Sequence, residues 1–144
     1  MTQTVEQALA AAKLFSDDQD YLFIQLPAKA IMAAAGIIAQ IGEPFCALIV
    51  DKDEVSLVIP ADALADFKER LPNYQASNKA YKLITFDIQL DMSLVGFMAK
   101  VSRALADAGI PIMTFAAYSR DHLLVPAEQL SVAMAALVKL QSGT

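Results

Sequence analysis

The chain says the same thing twice. Ile24-Gln25-Leu26 returns as Ile88-Gln89-Leu90, Gly42-x-Pro44 as Gly109-x-Pro111, and Pro60-Ala61-x-x-Leu64 as Pro126-Ala127-x-x-Leu130. The offsets are 64 (88 − 24), 67 (109 − 42) and 66 (126 − 60), so one order of elements stands twice in tandem. The step from 64 to 67 gives the second copy three extra residues. They fall most simply in the turn Asp91-Met92-Ser93-Leu94-Val95-Gly96, because the helical periodicity beyond it is unbroken.

Each copy reads as strand, helix, strand, strand, helix. Thr4 with Gln7 forms a capping-box pattern and predicts an N-terminal helix to about Leu14. Tyr21 to Leu26 is β-rich, and Pro27 suits the first turn of a helix carrying Ala30, Ala33, Ala34, Ile37, Ile38 and Ile41 on one side. Gly42-Glu43-Pro44 stops that helix. Phe45 to Val50 and Val55 to Ile59 flank the charged tetrad Asp51-Lys52-Asp53-Glu54 as a hairpin. A helix opened by Pro60 turns Leu64, Phe67 and Leu71 inward, and Gln75 to Lys79 reads as a polar linker.

The second copy begins with an alternating strand from Leu83 to Leu90. A helix follows with Leu94, Phe97, Met98, Val101, Ala104, Leu105 and Ala108 at i, i+3, i+4, i+7 spacing, and Gly109-Ile110-Pro111 ends it. The predicted organisation is an N-terminal helix over 1–15, a first unit over 16–73 and a second over 80–144. The predicted class is α+β: two tandem ferredoxin-like βαββα units with helices on one face of a mainly antiparallel sheet.

Composition narrows the function classes. The net charge is −5 and no stripe of lysine and arginine tracks phosphates, which argues against nucleic acid. The apolar run Ala30 to Ile41 is far short of the ~20 residues that cross a bilayer, and the N-terminus lacks a signal-peptide pattern. One cysteine and one histidine exclude an internal disulfide and leave no dedicated zinc site, so a soluble cytoplasmic protein with no metal or cofactor is expected. A mean hydropathy of +0.44 is high for a soluble chain, and points to apolar surface buried in a homodimer.

Leu90-Asp91-Met92-Ser93-Leu94-Val95-Gly96, the helix bearing Leu105-Ala106-x-Ala108-Gly109-Ile110, and the strand end Asp121-His122-Leu123-Leu124-Val125-Pro126 resemble the ACT-like proteins of the tandem type. That family includes small bacterial proteins and the carboxy-terminal parts of CASTOR-type arginine sensors. The resemblance covers about Tyr81 to Leu140 well and is weaker in the first half, where it rests on Asp53 to Val58. It implies a βαββαβ-related fold that binds amino acids at interfaces between ACT units without catalysis. It also implies that ligand groups come from the loop after the first strand, here Met92, Ser93, Leu94, Val95 and Gly96, and from the hairpin aspartate, Asp121.

The residues themselves bear on the same positions. Counting back from Pro126 and Pro60 sets Asp121, Leu123 and Val125 opposite Val55, Leu57 and Ile59, so Asp121 shares a strand face with two apolar side chains. A carboxylate there needs a partner, which a ligand's ammonium would supply; backbone N–H groups or Arg120 would serve equally. Asp91 or Ser93 reads as the N-cap of the following helix, leaving the Ser93 to Gly96 amides to receive a ligand carboxylate. His122 alternates to the opposite face and reads as a surface or hydrogen-bonded residue, Cys46 as a small buried hydrophobe. No Ser-His-Asp order, phosphate loop or metal spacing is present, so no catalytic residue is assigned. Two functions remain open: an amino-acid-binding regulator, and a ligand-free module for protein interaction or dimerisation.

Overall fold

The computed structural model describes residues 3–42 and 44–143; Glu43, part of the predicted helix stop, lies outside the described residues. The chain divides into two compact units, one from Gln19 to Tyr81 and the other formed by residues up to Asp18 together with Lys82 onward.

The unit from Gln19 to Tyr81 contains β2 (Tyr21–Pro27), α2 (Ile31–Ile41), β3 (Ala47–Val50), β4 (Glu54–Pro60), α3 (Ala61–Phe67) and β5 (Gln75–Ala76). Its sheet order is β3-β4-β2-β5, every pairing antiparallel, which is the ferredoxin-like arrangement. Alternation sends Ile24 and Leu26 of β2 and Val55, Leu57 and Ile59 of β4 to one face, where Ala34, Ile37 and Ala63 of the helices cover them. The Asp51 carboxylate folds the hairpin turn, accepting from the Asp53 and Glu54 amides at 2.8 and 2.9 Å. The predicted linker is in part a strand: Gln75 and Ala76 pair with Gln25 and Ile24, and Ser77 exchanges bonds with the Phe23 backbone. A polar two-residue strand leaves no periodic signature, and pairing alone creates it.

The other unit contains α1 (Val5–Ala11), β1 (Lys13–Phe15), β6 (Tyr81–Asp87), α4 (Phe97–Asp107), β7 (Met113–Ala116), β8 (Asp121–Pro126) and α5 (Leu130–Gln141). β7 pairs with β8, β8 neighbours β6, and β1 pairs antiparallel with β6. The position held by β5 in the first unit is thus filled here by an N-terminal strand. The capping box forms as predicted, with the Gln7 amide donating to Thr4 Oγ1 at 3.1 Å. The helix nevertheless stops at Ala11, short of the expected Leu14, because Ala12 turns extended and Leu14 pairs with Phe86. Gln141 donates to the freed carbonyls of Leu9 and Ala12, satisfying the helix end. Ile84, Phe86, Leu123 and Val125 form the sheet side of the core, and Ala8, Val101, Leu105, Ala133 and Leu137 form the helix side. Phe86 meets Phe97 edge to face at 5.4 Å.

The register of the repeat differs from the one expected. Ile24 and Leu26 occupy the core positions of β2 that Ile84 and Phe86, not Ile88 and Leu90, occupy in β6. The strands begin at Tyr21 and Tyr81, 60 apart, whereas the helices begin at Ile31 and Phe97, 66 apart. The second copy therefore carries six extra residues between strand and helix, twice the expected three. Ile88 and Leu90 misled because they still pack on the core, from a loop and not from a strand. Among the described residues no helix is long and apolar enough to cross a membrane.

Candidate functional site

The six-residue excess builds a loop, residues 88–96, that turns back on the hairpin between β7 and β8. The Leu90 amide donates to the Ser119 carbonyl at 2.7 Å and ties the two together. Asp91 then folds its own turn: its Oδ1 accepts from the Ser93 amide at 2.9 Å and the Ser93 hydroxyl at 2.7 Å, and its carbonyl accepts from the Leu94 amide at 3.0 Å. The Ser93 backbone bond, followed by the hydroxyl bond, holds the exposed Asp91 carboxyl below its ordinary pKa. Neither Asp91 nor Ser93 caps α4 as the sequence suggests. The cap is Gly96, whose φ of +96° is open to glycine and strained for other residues, and the helix starts only at Phe97.

The hairpin brings the opposite wall. Ala116 stands opposite Asp121 in register, and the Ala117 amide closes the turn on the Arg120 carbonyl at 2.9 Å. Asp121 shares its face with the core residues Leu123 and Val125, as alternation predicts. In the first unit the corresponding pair is Val50 with Val55, and Val55 is fully buried in the core. Replacing a valine pair by alanine and aspartate removes side-chain volume and introduces a carboxylate at one point of the same framework.

The result is a cavity of about 210 Å³ lined by Leu90, Met92, Leu94, Phe97, Ala116, Arg120 and Asp121, among others. The six predicted residues separate here. Met92, Leu94 and Asp121 line this cavity, whereas Ser93 and Val95 face a second one of about 220 Å³ shared with Thr4 and Val5, and Leu94 touches both. Gly96 serves as the helix cap. Two of the four proposed receptor amides, Ser93 and Leu94, are already bonded to Asp91. Ser119 is a wall residue that the sequence did not single out, and Arg120, considered there only as a partner for Asp121, is part of the wall; their place follows from a hairpin turn whose geometry has no sequence period.

Asp121 is half-buried, and its carboxylate makes no hydrogen bond or ion pair among the described residues. Arg120 turns its Nε to Asp87 Oδ1 at 3.0 Å, an exposed pair of at most ~1 kcal/mol, and does not satisfy Asp121. Burial raises the Asp121 pKa, and the neighbouring His122 draws it part of the way back. His122 lies on the opposite face, its Nδ1 at 2.8 Å from Thr85 Oγ1. Burial lowers its pKa, the Asp121 charge raises it and Arg120 lowers it. A base whose folded pKa is depressed stabilises the fold above its ordinary value of 6.5, and that stability is lost as pH falls. His122→Gln should flatten the decline in melting temperature measured from pH 7 toward pH 5, leaving Phe86 packing untouched. Cys46 is half-buried and burial raises its thiol pKa, which keeps it protonated and a poor nucleophile at neutral pH.

Solved structures of other proteins share the fold. A Vibrio cholerae protein of unknown function, described as a possible transport protein, superposes with a TM-score of 0.73 at 24% identity over 96% of both chains. A protein from Agobacterium tumefaciens matches with a TM-score of 0.69 at 22% identity, over 89% of this chain and 87% of its own. The ligand-free regulatory subunit of aspartate kinase from Thermus thermophilus matches with a TM-score of 0.64 at 15% identity, over 88% of this chain and 96% of its own. At these identities the likeness is one of fold. Residues 76–139, the stretch that carries the long loop, α4 and the hairpin, match the family model of the ACT domain, and the fold is the ferredoxin-like fold of ACT regulatory domains.

Proposed function

We propose that the protein is a non-enzymatic cytoplasmic regulator that binds a small amino acid between the 88–96 loop and the β7–β8 hairpin. The observation that carries the reading is Asp121: a half-buried carboxylate with no hydrogen bond or ion pair among the described residues, lining a cavity where the sister unit has a buried valine. A ligand ammonium would supply the missing charge and hydrogen-bond donors. For the ligand carboxylate, the terminal N–H groups of Arg120, whose Nε is bonded to Asp87, stand at the cavity wall. The volume of about 210 Å³ suits a small amino acid. Met92 and Tyr118 at the cavity are 76% and 83% exposed, apolar surface that a second copy would cover in a homodimer. The aspartate kinase regulatory subunit that shares this fold lends support to a regulatory role.

A thermal-shift screen against the twenty amino acids tests the reading. It predicts a rise of several degrees with at least one of them at millimolar concentration. A flat response to all twenty would favour the second reading, a ligand-free interaction or dimerisation module. What supports that alternative is the run Leu48, Ile49 and Val50, exposed on strand β3 at the end of its sheet order.

A further inference from the structure

The ligand loop is held from behind by a side chain that plays no part in the cavity. Gln3 Nε2 donates to the Gln89 carbonyl at 3.2 Å, and Gln3 Oε1 accepts from the Asp91 amide at 3.1 Å. One primary amide thus spans both sides of Leu90, the residue whose own amide is fixed to the hairpin at Ser119. Gln3 is itself fixed, since Thr4 beside it enters the capping box of α1. Behind the loop, Val5 Cγ2 would stand 3.8 Å from a Cβ on Gly96, so the start of α1 lies against the loop at both ends. The cavity between them has a volume of about 220 Å³. Asp91 and Leu94 of the 88–96 loop thus line both the cavity that holds Asp121 and this one, shared with the N-terminal segment.

From this geometry we infer that Gln3 is a positioning residue: it fixes the shape of the 88–96 loop and through it sets the affinity of the Asp121 cavity. The inference rests on the amino-acid-binding reading for its consequence, but not for its first half. A loop residue anchored by two backbone bonds opens less often than one anchored by none, and amide exchange measures that opening directly. Pre-forming a binding loop raises affinity because less ordering remains to be done when the ligand arrives.

The test compares wild type, Gln3→Ala and Gln3→Glu by hydrogen–deuterium exchange and by amino-acid binding. Gln3→Ala should speed exchange at residues 89–96 by about tenfold and weaken binding by a similar factor, with exchange in β8 and α4 unchanged. Gln3→Glu keeps the acceptor for the Asp91 amide and loses the donor to Gln89, so it should fall between the two. Unchanged exchange at 89–96 in Gln3→Ala would overturn the inference, whatever the protein binds. Faster exchange with undiminished affinity would overturn the link from loop to cavity. A wild type that binds no amino acid would strike down the proposed function and with it the role of Gln3 in affinity, while the exchange rates still report whether Gln3 holds the loop.

Discussion

Asp121→Asn is expected to raise the melting temperature of the free protein at pH 7 by about 2 °C while nearly abolishing the shift produced by an amino acid. The two effects have one cause. Burial raises the folded pKa of Asp121, so folding favours its protonated form; that contribution is present below its ordinary value of 3.8 and lost as pH rises through the folded pKa. At pH 7 the free protein therefore carries an ionised carboxylate in a site that disfavours it, and the neutral amide removes that cost. The gain over wild type should disappear near pH 3.5, where both side chains are neutral, which separates it from a packing effect. For the ligand the sign reverses. A ligand at a hundred times its dissociation constant stabilises by about 2.7 kcal/mol, and a charge-assisted hydrogen bond contributes about 1.5–3 kcal/mol. Losing a bond near the upper end of that range moves the same concentration close to the dissociation constant, where the stabilisation is only about 0.4 kcal/mol. A variant that still shifts as wild type does would show that Asp121 holds no ammonium.

The largest loss of stability should come from Phe86→Ala. Phe86 is 1% exposed at the centre of the core formed by β6, β8 and the helices, and it meets Phe97 edge to face. Truncation removes the buried ring, leaves a cavity that close-packed neighbours fill only in part, and costs about 3–5 kcal/mol. Against a total stability of about 5–15 kcal/mol, this should lower the melting temperature by about 10 °C or more. Phe15→Ala is the matched control: Phe15 is 51% exposed in β1, two positions along from Lys13, and its loss should move the midpoint by only a small fraction of that. Equal effects at the two positions would mean that the core is not where Ile84, Phe86, Val101 and Leu105 place it.

What the sequence revealed and what it concealed divide along the range of the interactions involved. The capping box at Thr4, the glycine stops at Gly42 and Gly109, the two hairpins and the helical face of Val101 and Leu105 are local patterns, and each was legible. So was the placing of Asp121 on the face of Leu123 and Val125, because a strand alternates strictly. The strands Lys13–Phe15 and Gln75–Ala76 were not legible, since two or three residues acquire β structure only from a distant partner. The loop was misread for a related reason. Ile88, Leu90 and Leu94 continue the apolar periods of strand and helix although they belong to neither, because loop side chains that pack on a core obey burial, not period. The place of Ser119 in the wall, and the bonds of Gln3 to Gln89 and Asp91 from 86 and 88 positions away, had no signal in the sequence at all.

In a two-dimensional amide NMR titration with the amino acid that gives the largest thermal shift, or with the full set at millimolar concentration, the perturbed resonances should be those of residues 90–97 and 116–121. The broad groove of about 740 Å³ between α4 and α5, lined by Ala104, Ala108, Ala136 and Leu140, should remain silent. Perturbations confined to that groove, or an unperturbed spectrum with every amino acid, would contradict the claim that the Asp121 cavity is a binding site.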